Sequence, residues 1–345
     1  MLKTNNKIGI IGDLHLREFL GYAEYLPDSR KDEQKEILDF IVESFSDCSS
    51  IVFMGDQFHA RSSSPHIVKE LVNLLERFDG KEIYILAGNH ESYGSGKSSM
   101  DFLMEIKNKK WNIITNEVVK IKNNVFCPYF TKAELETNDN KKASKEIMKK
   151  LVDGDVLFVH HVVSDTLNNA GCKVDIFPEP VLPKKELEKK YKMIFAGHVH
   201  RPQCYDKTII TGSIFNSEMG EIQKYIWRLD ESTMAVEQIK LPGRGVYKLE
   251  DPTEEDLKKI KKSNIVKVIL TKKLSAPKLG ELKEKLSKFD AYILLEQIPH
   301  ERKKAHYDKN AKLLDMEVNE LLGLYAKEKK IDLNKLIQGF ELINK

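Results

Sequence analysis

Five short segments of this 345-residue chain carry the residues most able to do chemistry: GDLH (12–15), GDQFH (55–59), GNHE (88–91), HH (160–161) and GHVH (197–200). Asp13/His15 and His198/His200 are spaced i, i+2, which at a strand's end can aim both side chains toward one side of the sheet edge. Carboxylate, imidazole and amide groups without thiolate suit borderline-to-hard divalent ions such as manganese, iron or zinc. Asp13, His15, Asp56, Asn89, His160, His198 and His200 make seven such groups. With one aspartate bridging, they suffice for two ions. A pair roughly 3.5–4 Å apart can bind a phosphate, generate a hydroxide near neutral pH and stabilise an in-line displacement. Taken singly, an Asp-x-His at a strand end or an asparagine behind glycine is an ordinary turn. The recurrence of such pieces at five strand ends is what argues for a dimetal centre.

To converge, these clusters need elements that end at a common edge. Each follows an apolar run too short for a helix: IGII (8–11), IVFM (51–54), IYILA (83–87), VLFV (156–159) and MIFA (193–196). Rich in β-branched and aromatic residues, they read as buried strands. Between the first three, segments 31–45 and 66–78 set apolar residues at helical spacing, Ile37, Leu38, Ile41, Val42 and Phe45 in the first. The β-α-β-α-β order predicts parallel strands with crossover helices. In such sheets ligands gather beyond the carboxyl ends of the strands, where all five clusters fall. After GHVH, segments 208–213, 224–230 and 233–241 read as antiparallel strands, and LPGRG (241–245) as a boundary. A small α-β-α-β unit follows, with helices at 254–263 and 279–289 and strands at 264–273 and 291–298. A charged stretch (299–312) then leads to two helix-like segments, 314–328 and 332–343.

Composition narrows the class without naming a function. Hydrophobic residues make up 41% and charged residues 32%, as in ordinary soluble proteins, and no apolar run is long enough for a membrane span. The N-terminus lacks a signal-peptide layout, and the four cysteines are scattered without a CxxC. Both features point to a cytoplasmic protein with unpaired thiols. A net charge of +3 decides nothing about nucleic acid, and only eight of the 56 cationic residues are arginine, the residue that reads bases bidentately.

GDLHL (12–16), GDQFH, GNHE, HH and GHVH together resemble the signature blocks of the calcineurin-like metallophosphoesterases. Within that superfamily, GDQFHARSSSP (55–65) and the downstream organisation resemble the nuclease subunit of SbcCD-type recombination and repair complexes. The compact length and helical tail are closest to the phage version, for which the site of action is the host cytoplasm. The resemblance implies an α/β, four-layer αββα sandwich (1–243), a small α/β DNA-capping domain (244–300), a linker (301–312) and a helical ATPase-binding segment (313–345). It implies a first ion on Asp13, His15, Asp56 and His200, and a second on Asp56, Asn89, His160 and His198, with Mn2+ the expected ion in both positions. His90 is expected to stabilise the transition state or protonate the leaving group, and His59 to handle the DNA end. The implied activity is manganese-dependent exonucleolytic and endonucleolytic hydrolysis of DNA, with an SMC-like coiled-coil ATPase gripped by the C-terminal helices. Family members commonly pair as homodimers, though no motif here establishes it. The family commonly has GNHD where this chain has Glu91, a longer carboxylate still able to orient His90.

The main rival is a small-molecule or nucleotide phosphodiesterase of the same superfamily, which typically lacks a capping unit and partner-binding tail. Serine/threonine protein phosphatases are disfavoured, because they resemble GDxHG followed by GDYVDRG rather than GDLHL and GDQFHAR. GSGKSS (94–99) falls short of a P-loop, since Glu91 stands where the first glycine is needed, and reads as a flexible loop. Lysines in 258–262 and 267–273 are candidates for DNA phosphates.

Overall fold

The computed structural model describes residues 6–18, 27–94, 96–106, 110–168, 171–174, 179–216, 220–221, 223–272, 274–297, 326–327 and 332. The linker and helical tail expected over 301–345 lie almost wholly outside the described residues. The chain divides into two compact units, one comprising 1–270 with 274–296, the other 271–273 with 297–345.

In the first unit, β1 (Lys7–Ile11), α1 (Pro27–Ser44), β2 (Ser50–Phe53), α2 (Pro65–Glu76), β3 (Glu82–Leu86), α3 (Phe102–Glu105) and β4 (Trp111–Ile114) come first. Then follow β5 (Val119–Ile121), β6 (Asn124–Cys127), α4 (Asn140–Lys150), β7 (Val156–Val159), β8 (Val162–Val163), β9 (Val181–Leu182), α5 (Lys184–Lys190) and β10 (Met193–Ala196). The series continues with β11 (Gln203–Cys204), β12 (Thr208–Ile210), β13 (Tyr225–Asp230) and β14 (Ala235–Lys240). Two six-stranded mixed sheets result, ordered β14-β13-β1-β2-β3-β4 and β11-β12-β10-β7-β6-β5. The first is parallel from β1 through β4, with the β13–β14 hairpin added antiparallel at one margin. The second has a parallel centre with antiparallel strands, β11 and β5, at both margins.

Side-chain alternation makes the layers. Ile8, Ile10, Val52 and Met54 point between the sheets, where they share a core with Phe126, Phe158 and Phe195. Their neighbours Ile11, Ile51 and Phe53 point the other way and pack with Ile37, Ile41, Leu71 and Leu74 of α1 and α2. On the second sheet, Val125, Leu157 and Ile194 do the same with Ala143 and Ile147 of α4 and Leu187 of α5. Strands buried on both faces read as continuous apolar runs, which is why the five runs were legible. Tyr84, Phe126, Phe158 and Phe195 stack in sequence at 4.7, 5.1 and 5.5 Å between ring centres.

Segment 208–213, expected as an antiparallel strand, is β12, which pairs antiparallel with β11 and also parallel with β10 in the second sheet. Segments 224–230 and 233–241 form the antiparallel hairpin β13–β14 in the first. The local pattern of TIITGS reports strand character and carries no partner information.

Residues 246–297 form a three-stranded sheet of β15 (Val246–Glu250), β16 (Ile265–Leu270) and β17 (Tyr292–Gln297), with α6 (Glu254–Leu257) and α7 (Ala276–Ser287). β15, which pairs parallel with β16, adds a strand to the expected α-β-α-β order. α6 starts at a capping box between Thr253 and Asp256. It ends at Leu257 rather than 263, because KKIKK (258–262) would stack like charges at i, i+3 and i, i+4. Among the described residues no helix is long and apolar enough to cross a membrane.

Candidate metal centre

All five clusters leave their strands at a common edge. The backbone there departs from strand geometry: His15, Asp56 and His198 have positive φ angles of 48°, 48° and 74°. Non-glycine residues in that region are strained, and such strain concentrates at functional sites. Glycines let the chains approach. A Cβ on Gly55 would overlap the His160 ring, and one on Gly88 would overlap the Asp56 carboxylate.

Seven residues meet here. His15 Nε2 lies 2.8 Å from His200 Nε2 and 3.7 Å from Asp56 Oδ2. His160 Nε2 lies 3.4 Å from the same Asp56 oxygen and 3.4 Å from Asn89 Oδ1. Asn89 Oδ1 is in turn 2.8 Å from His198 Nδ1. Asp13/His15/His200 and Asp56/His160/His198 each hold ligand atoms within 4.8 Å of one another, a spacing suited to a metal ion. Asp56 Oδ2 stands between the two groups. The i, i+2 pair of GHVH is therefore split, His200 going to one group and His198 to the other, because the positive φ at His198 breaks the strand's alternation.

The donor set fits metal ions on grounds of this structure. Asp13 Oδ1 and His15 Nδ1 are buried with no hydrogen-bond partner, and Asp13 and Asp56 are almost fully buried carboxylates. Buried anions of this kind need a compensating charge. The His160 Nδ1 atom is 2.7 Å from the Met54 carbonyl, so an Nδ1–H donates there and Nε2 remains for a ligand. Asp13 Oδ2 and Asp56 Oδ1 accept the backbone N–H groups of His198 and His90, both at 2.9 Å. Each aspartate thus anchors one loop and keeps one oxygen for the centre.

Electrostatics within the cluster are strongly coupled. Burial raises the Asp13 carboxyl. Burial also opposes ionisation of Asp56, but His160 and His15 override it and hold that carboxyl far below the usual range. His160 is raised because Asp56 and Asp13 outweigh its own burial, whereas burial drives His15 well down and leaves it neutral, as a metal-ligating imidazole must be.

His90 and His59 adjoin these groups. His90 Nδ1 lies 2.5 Å from the His59 carbonyl, and its ring sits 4.7 Å from that of His15. His59 is exposed, with Nε2 3.3 Å from Arg17 Nη1. The expectation that Glu91 orients His90 is not met. Fully buried, Glu91 accepts the backbone N–H groups of Phe58 and Gly88 at 2.9 and 2.8 Å, tying the GDQFH and GNHE loops together. Burial, then the charge of Asp56, pushes its carboxyl up to about 8. His161 is fully packed away, accepting the Phe130 N–H at 3.0 Å. GSGKSS closes a turn in which Gly94 and Gly96 have positive φ and Tyr93 bonds Lys97, consistent with a loop.

Three contributors carried no recognisable signal in the sequence. Glu179 Oε2 is 2.6 Å from His198 Nε2, which fixes that ring from its outer side, and the bond lowers the Glu179 carboxyl. Tyr129 stacks over His161 and His198 at 4.8 and 5.8 Å. Lys224, nearly fully buried, donates to the His200 carbonyl at 3.0 Å, Ser213 Oγ at 2.7 Å and Glu221 Oε1 at 2.7 Å. Replacing Lys224 by Met is expected to cost about 3–5 kcal/mol in denaturant unfolding, since Glu221 is left charged and buried. The double replacement Lys224→Met/Glu221→Met should recover part of that loss; no recovery would mean the ion pair is not the cause.

A family model for calcineurin-like phosphoesterases matches residues 6–202. Among curated proteins, the DNA double-strand break repair protein Mre11 of Archaeoglobus fulgidus is 25% identical over 247 residues, covering 65% of this chain and 54% of that protein. The chain thus spans about half the length of that relative. A solved structure described as a novel archaeal phosphodiesterase covers 68% of this chain and 99% of its own, at 18% identity and a TM-score of 0.34, a likeness too low to argue from. With the matched family spanning more than half the chain and its His and Asp clusters fitting a dimetal site, the chain belongs to the calcineurin-like phosphoesterases and is a metal-dependent phosphoesterase.

Proposed function

We propose that this phosphoesterase is a manganese-dependent DNA nuclease, the nuclease subunit of an SMC-like ATPase–nuclease complex in recombination and double-strand break repair. The observation that carries the reading is the two-group cluster sharing Asp56 Oδ2, taken with the similarity to a double-strand break repair protein. In this reading Asp13, His15, Asp56 and His200 hold one ion, and Asp56, Asn89, His160 and His198 the other. Two bound divalent ions supply Lewis acidity, activating water and neutralising charge that develops on the phosphoryl oxygens.

The chain's own residues do the rest. The Met54 carbonyl and Glu179 fix the rings of His160 and His198 from behind. Asp56 links the two groups and, through the His90 N–H, sets the GNHE loop beside them. The His59 carbonyl takes the His90 Nδ1–H, so that in the imidazolium form the Nε2–H is the proton available to the departing oxygen, its loss leaving a neutral ring still bonded through Nδ1. Residues 244–300 cap the DNA, 301–312 link, and the C-terminal segment 313–345 grips the ATPase.

The test is cleavage of linear DNA by the purified chain with manganese, magnesium or chelator, beside bis-p-nitrophenyl phosphate. DNA cleavage in manganese that stops in chelator is expected. Hydrolysis of the small ester with DNA untouched, even with a candidate ATPase added, would instead identify a small-molecule phosphodiesterase.

A further inference from the structure

A groove of about 700 Å³ lies against α4, a size typical of ligand sites. Lys141, Lys145 and Lys149 line it from α4, and all three are exposed. They recur every four residues, so the cations step by about 6 Å along the helix at 1.5 Å per residue. That step is close to the spacing of successive phosphates in an extended single strand. Met148, Val181 and Pro183, each half-buried, add apolar surface suited to a base or sugar face. The groove is continuous with the metal centre through one residue: Glu179 lines it and also bonds His198 at 2.6 Å.

Charge is distributed unevenly around it. The cations come from α4, while the carboxylates Glu179 and Glu186 come from the segment that includes β9 and α5. A polyanion laid in the groove is drawn to the α4 side and repelled from the other, which fixes where its backbone runs. Lys149 already meets Glu146 at 2.7 Å, but that pair is exposed and yields at little cost.

We propose that this groove binds the single-stranded arm of a DNA substrate next to the scissile phosphate, with its phosphates along Lys141, Lys145 and Lys149. The inference rests on the DNA-nuclease reading and adds where the strand lies. None of the sequence features singled out above pointed to it, since the lysines of α4 are indistinguishable in sequence from any solvated helix face.

The test uses the full chain in chelator, so that binding is read without cleavage, with oligothymidylate as the probe across a salt series. Each phosphate contact in single strands adds about 0.7 to the slope of log affinity against log salt. The variant K141Q/K145Q should therefore flatten that slope by about 1.4, with thermal melting confirming an unchanged fold. The control K142Q/K185Q removes two lysines outside the groove and should keep the wild-type slope. A wild-type slope in K141Q/K145Q, or equal flattening in the control, overturns the proposal. A wild-type chain that hydrolyses bis-p-nitrophenyl phosphate yet binds no oligothymidylate overturns the nuclease reading, and the groove with it.

Discussion

Asp56→Asn is expected to lower phosphodiester hydrolysis by roughly three orders of magnitude and to leave the metal-free protein less stable than the wild type. The size follows from position. Asp56 Oδ2 lies within 3.7 Å of His15 Nε2 and 3.4 Å of His160 Nε2, so a neutral amide there weakens both metal groups together. Losing even an outer-shell partner of a metal ligand costs about 10–100-fold, and a shared anionic ligand should exceed that. Three decades correspond to about 4 kcal/mol at 1.4 kcal/mol each. The stability expectation has a separate cause. Without metal, His160 and His15 hold the Asp56 carboxyl far below the usual range, so its charge stabilises the fold. Removing it leaves buried His160 with Asp13 as its remaining carboxylate. The amide oxygen still accepts the His90 N–H, so the GNHE loop keeps its anchor. Melting in chelator and in manganese checks both halves: manganese should stabilise the wild type more than the variant, in proportion to the logarithm of its affinity. Equal stabilisation would remove Asp56 from the metal site.

His90→Asn should behave differently, with DNA cleavage falling by about 10²–10⁴-fold while the number of bound ions is unchanged. His90 touches the centre through its backbone N–H and the His59 carbonyl and belongs to neither of the two four-residue sets assigned to the ions. The leaving group separates its two candidate roles. A departing DNA oxygen is a strong base and needs a proton, whereas p-nitrophenolate leaves without one. Proton donation therefore predicts a far smaller loss on bis-p-nitrophenyl phosphate than on DNA. An equal loss on both would assign His90 to stabilising charge on the phosphoryl oxygens instead, and full activity on DNA would remove it from the reaction.

Much of the centre was legible because its residues sit in short runs tied to strands by local rules. Buried parallel strands are continuous apolar segments, and the polar residues after them fall at the sheet edge, so Asp13, Asp56, His160 and His200 could be placed together before any geometry. What escaped was long-range. Lys224 supports His200 from the residue just before β13, 24 residues on, and Glu179 reaches His198 from a loop, contacts that no spacing encodes. Glu91 shows the same limit from within a motif. Its neighbour His90 was the natural partner in sequence, yet the side chain turns to the backbone of Phe58 and Gly88 because two buried N–H groups there need an acceptor. TIITGS shows strand character, and β12 pairs antiparallel with β11, but its parallel pairing with β10 depends on the crossover rather than on TIITGS itself.

The central claim is a dimetal centre bridged by Asp56, and manganese titration of the full chain, followed by electron paramagnetic resonance, tests it most directly. Two ions per chain with a spin-coupled signal that Asp56→Asn abolishes is the predicted result. A single uncoupled ion, or coupling that survives Asp56→Asn, would contradict it.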